Sequence, residues 1–310
     1  MISRIWLVLL LVLNFSAFGQ IKKKVCFSID DLPVVSYGEK SPEFHFDLTE
    51  KLLNNLSSKK VQAIGFVNEG KLFDKDEELI SFQKECLQKW IEAGMDLGNH
   101  TLNHKDYNTT AFEEYAEEIL IGEQVTKQLL SKKSKELKYF RHPFLHTGYT
   151  KELSDSLDSF LSKHGYIVSP VTIDNSDYLF AKAYHLSVKK GDNVMAKKIA
   201  KDYLVYMEEK LLYFERQSFE LFNRNINQIL LIHASLLNAE YVDDLADIYI
   251  KHGYTFVSMD EILEDPVYKT PITKFGKYGI SWIDRWALSA GKKGDFFKDD
   301  PITPQYIENF

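Results

Sequence analysis

Residues 25–29 read VCFSI, residues 30–33 read DDLP, a stretch with apolar residues at helical spacing covers 47–59, and QAIGFV follows at 62–67. A short apolar run, an amphipathic helix and a second short apolar run make a β-α-β unit, with the helix as the crossover between parallel strands. The same alternation continues along the chain. Strands are expected at 96–99, 139–140, 165–173, 228–233 and 255–258, and helices at 77–93, 111–131, 151–163, 192–222 and 239–252. Gly94 and Gly253 stand where helices 77–93 and 239–252 should end, as C-terminal caps do. Such alternation implies parallel strands joined by right-handed crossovers. Seven strands suit an α/β barrel better than an open doubly wound sheet, and a single domain over 20–264 is the simplest organisation. Beyond 265 the texture changes. Asp265-Pro266, Thr270-Pro271, Asp300-Pro301 and Thr303-Pro304 punctuate a segment carrying Trp282, Trp286, Phe296 and Phe297. It reads as an irregular C-terminal extension, 265–310, with one short helix near 283–290, packed on the barrel through its aromatics.

The first 19 residues have a basic Arg4, a nearly continuous apolar run over 5–13, and small residues at Ser16, Ala17 and Gly19. This is the pattern of a secretory signal, with cleavage expected between Gly19 and Gln20. The run is shorter than the roughly 20 residues of a spanning helix, so the mature chain is expected to be exported, periplasmic or extracellular, and free of the membrane. A net charge of −7, with both signs interleaved and no basic tract, argues against nucleic acid as partner. The two cysteines, Cys26 and Cys86, could pair in an exported protein or stand as buried free thiols; they cannot build a cysteine zinc site.

Reactive groups of a parallel barrel collect where strands end and loops begin. The first strand ends in Asp30-Asp31, which could be a turn or helix cap or a pair of working carboxylates. The third ends in Asn99-His100-Thr101-Leu102-Asn103-His104, whose two histidines, four apart, could share one side of a helical turn and hold a divalent metal. Arg141 closes the fourth strand, Asp174 and Asp177 follow the fifth, and His233 ends the sixth. Each has an ordinary structural explanation when taken alone. Together, at five successive strand ends, they point to one site.

These five segments, in this order, resemble the signature blocks of the polysaccharide deacetylases, the group that includes chitin, chitooligosaccharide and peptidoglycan deacetylases. The resemblance covers about residues 24 to 260. It implies a distorted (β/α)7 barrel and one divalent metal, usually zinc, held by Asp31, His100 and His104. It implies hydrolysis of the acetamide of an acetylated glycan, with Asp30 as base, His233 as the acid that protonates the departing amine, Asp177 orienting His233, and Arg141 positioning the base. Asp174 is the alternative partner for His233.

The sequence also departs from the pattern. Leu32-Pro33 stands where the family usually has Gly-Pro. His142 stands where the family usually has a proline, Phe144 is followed by Leu145-His146-Thr147-Gly148 where an aromatic-Gly ending is usual, and Tyr178 stands where Trp is common. The catalytic groups are retained and the pocket lining differs, so the glycan, and N- versus O-acetyl specificity, stay open. A glycoside hydrolase using Asp30 and Asp177 would leave His100, His104 and Arg141 without work. A non-catalytic sugar binder would need neither Asp30 nor His233.

Overall fold

The computed structural model describes residues 23–310; the expected export signal lies outside them. Seven strands form one sheet: β1 (Lys23–Leu32), β2 (Ala63–Val67), β3 (Asp96–Asn99), β4 (Tyr139–Phe140), β5 (Ile167–Val168), β6 (Gln228–His233) and β7 (Tyr254–Phe256). All pairings are parallel, in the order β5-β4-β3-β2-β1-β6, with β7 on the first residues of β1. Past β5 the chain crosses to β6. Leu231 N donates to Ile173 O at 3.2 Å, and an isolated parallel bridge joins Ile173 to Leu230. The sheet thereby curls into the expected distorted (β/α)7-type barrel.

The surrounding helices are α1 (Pro42–Ser58), α2 (Ser81–Glu92), α3 (Phe112–Ile121), α4 (Gln124–Ser131), α5 (Lys151–Lys163), α6 (Asp177–Lys189), α7 (Asn193–Phe222), α8 (Leu236–Lys251) and α9 (Met259–Leu263). Their ends follow local chemistry. Ser41 caps α1 by accepting from Phe44 N at 3.1 Å, with Pro42 in the first turn, where its missing N–H costs nothing. Gly94 and Gly253, just past α2 and α8, both have φ of 82°.

Three expectations need correction. The expected helix at 111–131 is two, α3 and α4, broken at Gly122-Glu123. The expected strand at 165–173 is regular only at 167–168, because the chain changes partner from β4 to β6 beyond it. Helix α6 was not foreseen: the segment around Asp174 to Tyr178 reads as loop, yet Asp177 opens a 13-residue helix. The cysteines are free and buried.

Alternation along β1 sorts its side chains into two environments. Val25, Phe27 and Ile29 join the large core beneath the helices, while Cys26 joins Ile64, Phe66, Tyr139 and Ile229 in a small cluster, with Met259 and Ile262 of α9. On the face that Cys26 shares, Ser28 follows and then Asp30. That face therefore runs from apolar to polar toward the C-terminal ends of the strands. Residues 265–310 add α10 (Trp282–Ser289) and α11 (Gln305–Glu308). Trp282 N donates to Val171 O at 2.7 Å and Arg285 Nη2 to Leu145 O at 2.7 Å, while Trp282, Ile283, Trp286 and Ile307 enter the main core. Among the described residues no helix is long and apolar enough to cross a membrane.

Candidate active site

Parallel register puts the sequence-derived residues side by side. Asp30 and His233 are direct partners in the β1–β6 ladder. Val67 pairs with Asn99, and Asn99 with Phe140, so His100 and Arg141 leave neighbouring strands one residue later. Asp30, Asp31, His100, His104, Asp174 and His233 line a single cavity of about 550 Å³.

Asp31, His100 and His104 each offer one ligand atom, all within 4.8 Å of one another. Asp31 Oδ1 lies 3.8 Å from His100 Nε2 and 3.6 Å from His104 Nε2. His100 Nδ1 is 2.8 Å from Arg141 O; donating there leaves the Nε2 lone pair for a ligand, the usual arrangement behind a metal-bound histidine. Asp31 Oδ1 is buried and takes no hydrogen bond among the described residues. Its carboxyl is held below the usual range: burial pushes it up, but Lys71, His233, His104 and His100 together outweigh burial. Burial pushes both His100 and His104 down, keeping their imidazoles neutral near neutral pH. One anionic oxygen and two neutral imidazole nitrogens fit a divalent metal with further positions open.

The two histidines do not share a helical turn, as their spacing suggested. They sit in an irregular loop in which Thr101 and His104 have φ of 64° and 55°. Thr101 N is fixed by Asn99 Oδ1 at 2.7 Å, and the turn folds the two rings to a centroid distance of 4.8 Å. Asp31 is also left-handed, with φ of 68°, and Lys71 Nζ donates to its carbonyl at 2.6 Å. Nothing in the sequence marked Lys71.

Asp30 is 3% exposed, and its Oδ1 is unpartnered among the described residues. Oδ2 lies 3.7 Å from both His100 Nε2 and Arg141 Nη1. Burial lifts this carboxyl to about 6, with Arg141 and His233 pulling the other way. Arg141 is fully buried: Nη2 donates to Ser28 Oγ at 2.8 Å and Ser169 Oγ at 3.2 Å, and its guanidinium lies 4.7 Å over the Phe66 ring. Phe66 in turn needs Gly98, because a Cβ at Gly98 would run into its ring.

Asp177 is fully buried and binds His233 twice, accepting from Nδ1 at 2.7 Å and from its backbone N at 2.9 Å. Asn238 Nδ2 braces the pair, donating to Asp177 Oδ2 and His233 O at 2.8 Å each. Burial alone would lower His233; Asp177 reverses this and lifts it to about 9, assisted by Asp31 and Asp30. Asp174 is not its partner. It lines the cavity and accepts from Asn175 N at 2.8 Å. Ser28, Ser169 and Asn238 escaped the sequence reading because each works through a neighbour that is distant in the chain.

The family described as polysaccharide deacetylase matches residues 19–166. Residues 19–166, just under half of the chain, are thus similar to the polysaccharide deacetylases. The matched segment carries Asp30, Asp31, His100, His104 and Arg141 and ends before Asp177 and His233. No curated protein matches the chain. Among solved structures it is similar to a mutant of the peptidoglycan deacetylase PdaC from Bacillus subtilis, with TM-score 0.50, 17% identity and coverage of 79% of this chain and 91% of that one. That likeness is one of fold. A family 4 carbohydrate esterase from Bacillus anthracis gives TM-score 0.47, 20% identity and coverage of 78% and 83%. A CE4 family pseudoenzyme from the same organism gives 0.47, 15%, 78% and 66%.

Proposed function

We propose that the protein is an exported, metal-dependent deacetylase that hydrolyses the acetamide of an N-acetylated sugar polymer or oligomer. The observation that carries this reading is the pairing of Asp30 with His233 across β1 and β6, beside the Asp31–His100–His104 set in one cavity. A binding protein would need neither a buried carboxylate raised to about 6 nor an imidazolium raised to about 9, whereas hydrolysis needs a base and an acid poised on either side of neutral pH.

Asp31, His100 and His104 would hold the metal, zinc in this reading, which when bound polarises the acetyl carbonyl and makes the attacking water more acidic. Asp30 takes a proton from that water as its oxygen bonds to the acetyl carbon. Arg141 holds Asp30 in place from inside the barrel. His233, with Nδ1 tied to Asp177, presents Nε2 and gives its proton to the nitrogen as the C–N bond breaks, so acetate and a free amine leave. An amide requires that proton because an amide anion is a poor leaving group. In this reading residues 20–264 are the catalytic barrel and 265–310 an extension that buttresses it.

The test is acetate release from a panel of N- and O-acetylated glycans and peptidoglycan fragments, with and without chelator. Release from N-acetylated members that stops on metal removal and returns with zinc is expected. Release confined to O-acetyl esters would replace the amide reading, and no release from any member would reject it.

A further inference from the structure

His146 lies outside the set of groups assigned to the reaction, yet it lines the same cavity. Its Nδ1 is 2.6 Å from Asp106 Oδ1. Asp106 is fixed in turn: the same oxygen accepts from Asn108 N at 2.8 Å, and its carbonyl accepts from Thr110 N at 2.9 Å. Asn108 Nδ2 donates to Lys277 O at 2.9 Å, tying this loop to the C-terminal extension. With Nδ1 committed to Asp106, Nε2 has no protein partner among the described residues. An exposed His–Asp pair would mean little by itself. Here the imidazole is only about one-sixth exposed, is held by a braced loop, and stands at the wall of the reaction cavity.

Its neighbour strengthens the case. In the turn Pro143–Leu145, Phe144 and Leu145 have φ of 56° and 55°, and Phe144 is left half exposed. The Phe144 ring lies 4.5 Å from His104 and 5.8 Å from His146, centroid to centroid. A row of three rings thus leads from the candidate metal ligands along the cavity wall, ending in a fixed hydrogen-bonding nitrogen.

We propose that His146, held by Asp106, is the polar anchor of a second sugar subsite, bonding a hydroxyl of the unit next to the acetylated one while Phe144 carries that unit's apolar face. The proposal rests on the glycan deacetylase reading. A hydroxyl is the chemistry that fits: it donates to Nε2 when the imidazole is neutral and accepts from it when it is protonated. A pyranose supplies both this hydroxyl and a C–H face for the exposed ring. The scissile bond is already served by His233, the ladder partner of Asp30, while the Phe144 ring stands between His146 and His104. His146 therefore acts on binding of the longer substrate rather than on the chemical step.

The experiment measures equilibrium binding of N-acetylglucosamine and its di- and tetrasaccharide to the full-length Asp30→Asn protein. His146→Leu should weaken tetrasaccharide binding about tenfold, the scale of one lost hydrogen bond, and leave the monosaccharide within about twofold. His146→Gln should recover part of the loss, and Asp106→Asn should give a smaller version of it. In the otherwise native enzyme His146→Leu should raise KM for the tetrasaccharide and hold kcat within about twofold. Unchanged tetrasaccharide affinity, equal losses on mono- and tetrasaccharide, or no binding by the parent protein would overturn the subsite. Acetate release by the native protein is scored separately. A length-dependent His146 effect without acetate release would reject the deacetylase reading and leave the subsite standing.

Discussion

Asp177→Asn removes the charge that sets the protonation of His233. In the native protein burial pushes this imidazole down, and Asp177 lifts it to about 9 with weaker help from Asp31 and Asp30. Without the Asp177 charge, burial faces only the two weaker contributions, and the group should return to its ordinary 6.5 or below. An acid of pKa about 9 is roughly nine-tenths protonated at pH 8, whereas one at 6.5 is about 3% protonated, so turnover at pH 8 should fall about thirtyfold. At pH 6 the protonated fractions nearly converge and the loss should shrink to a few-fold. The folded pKa lies above the free one, so this pair contributes its full stability below about pH 6.5 and loses it as pH rises through about 9. The native protein should therefore lose thermal stability between pH 7 and 9.5 more steeply than the variant. The variant also turns an amide N–H toward donors that Asp177 now accepts, so a baseline loss of about 1–3 kcal/mol is expected. The assay is acetate release across pH 5.5–10, with Tm measured in the same buffers. A loss of equal size at every pH, with the alkaline limb unmoved, would show that His233 is not the titrating acid.

His100→Ala and His104→Ala should each sharply lower metal content from about one equivalent per chain, measured by elemental analysis of protein purified without chelator; undiminished metal in the double variant would sink the assignment. Asp30→Asn should retain the metal and the fold and lose roughly two to four orders of magnitude in turnover; if it is the variant that loses metal, Asp30 and Asp31 have exchanged roles. Gly98→Ala should cost about 1–3 kcal/mol in urea unfolding, because the added Cβ meets the fully buried Phe66 ring and the backbone carbonyl of Tyr139. An unaffected midpoint would mean that the ring supporting Arg141 has room to move.

Strand positions were legible because most strands are short apolar runs between amphipathic helices, and several strand ends were legible because an ionisable residue stands at or just beside them, as Asp30, His100, Arg141 and His233 do. The sequence could therefore place Asp30, Asp31, His100, Arg141 and His233 at one end of a barrel before any distance was known. It could not tell which of Asp174 and Asp177 faces His233. That choice depends on α6, whose first residue is Asp177 and whose start lacks a side-chain cap bond, so no local signal marked it. It also misread the relation of His100 to His104. A four-residue spacing fits a helical turn, but a loop with two left-handed residues achieves the same convergence, and the sequence alone does not distinguish them. Lys71 and Asn238 were illegible for a different reason: one grips a carbonyl and the other braces a carboxylate, each some 40 or 60 positions away.

Backbone strain and polar convergence coincide at this end of the barrel. Asp31, Thr101, His104, Phe144 and Leu145 all have positive φ without being glycine or asparagine, a conformation that costs of order 1–3 kcal/mol each and persists only where the surroundings over-determine it. Several restraints are visible. Lys71 bonds the Asp31 carbonyl, Asn99 Oδ1 bonds Thr101 N, and Leu145 N donates to His142 O at 3.0 Å while its carbonyl accepts from Arg285. Two of the strained residues are candidate metal ligands and a third carries the exposed ring between His104 and His146. Arg285 belongs to the extension that the family match does not reach. Arg285 thus ties residues 265–310 to the turn that carries Phe144, one of the places where the chain differs from the polysaccharide deacetylase pattern.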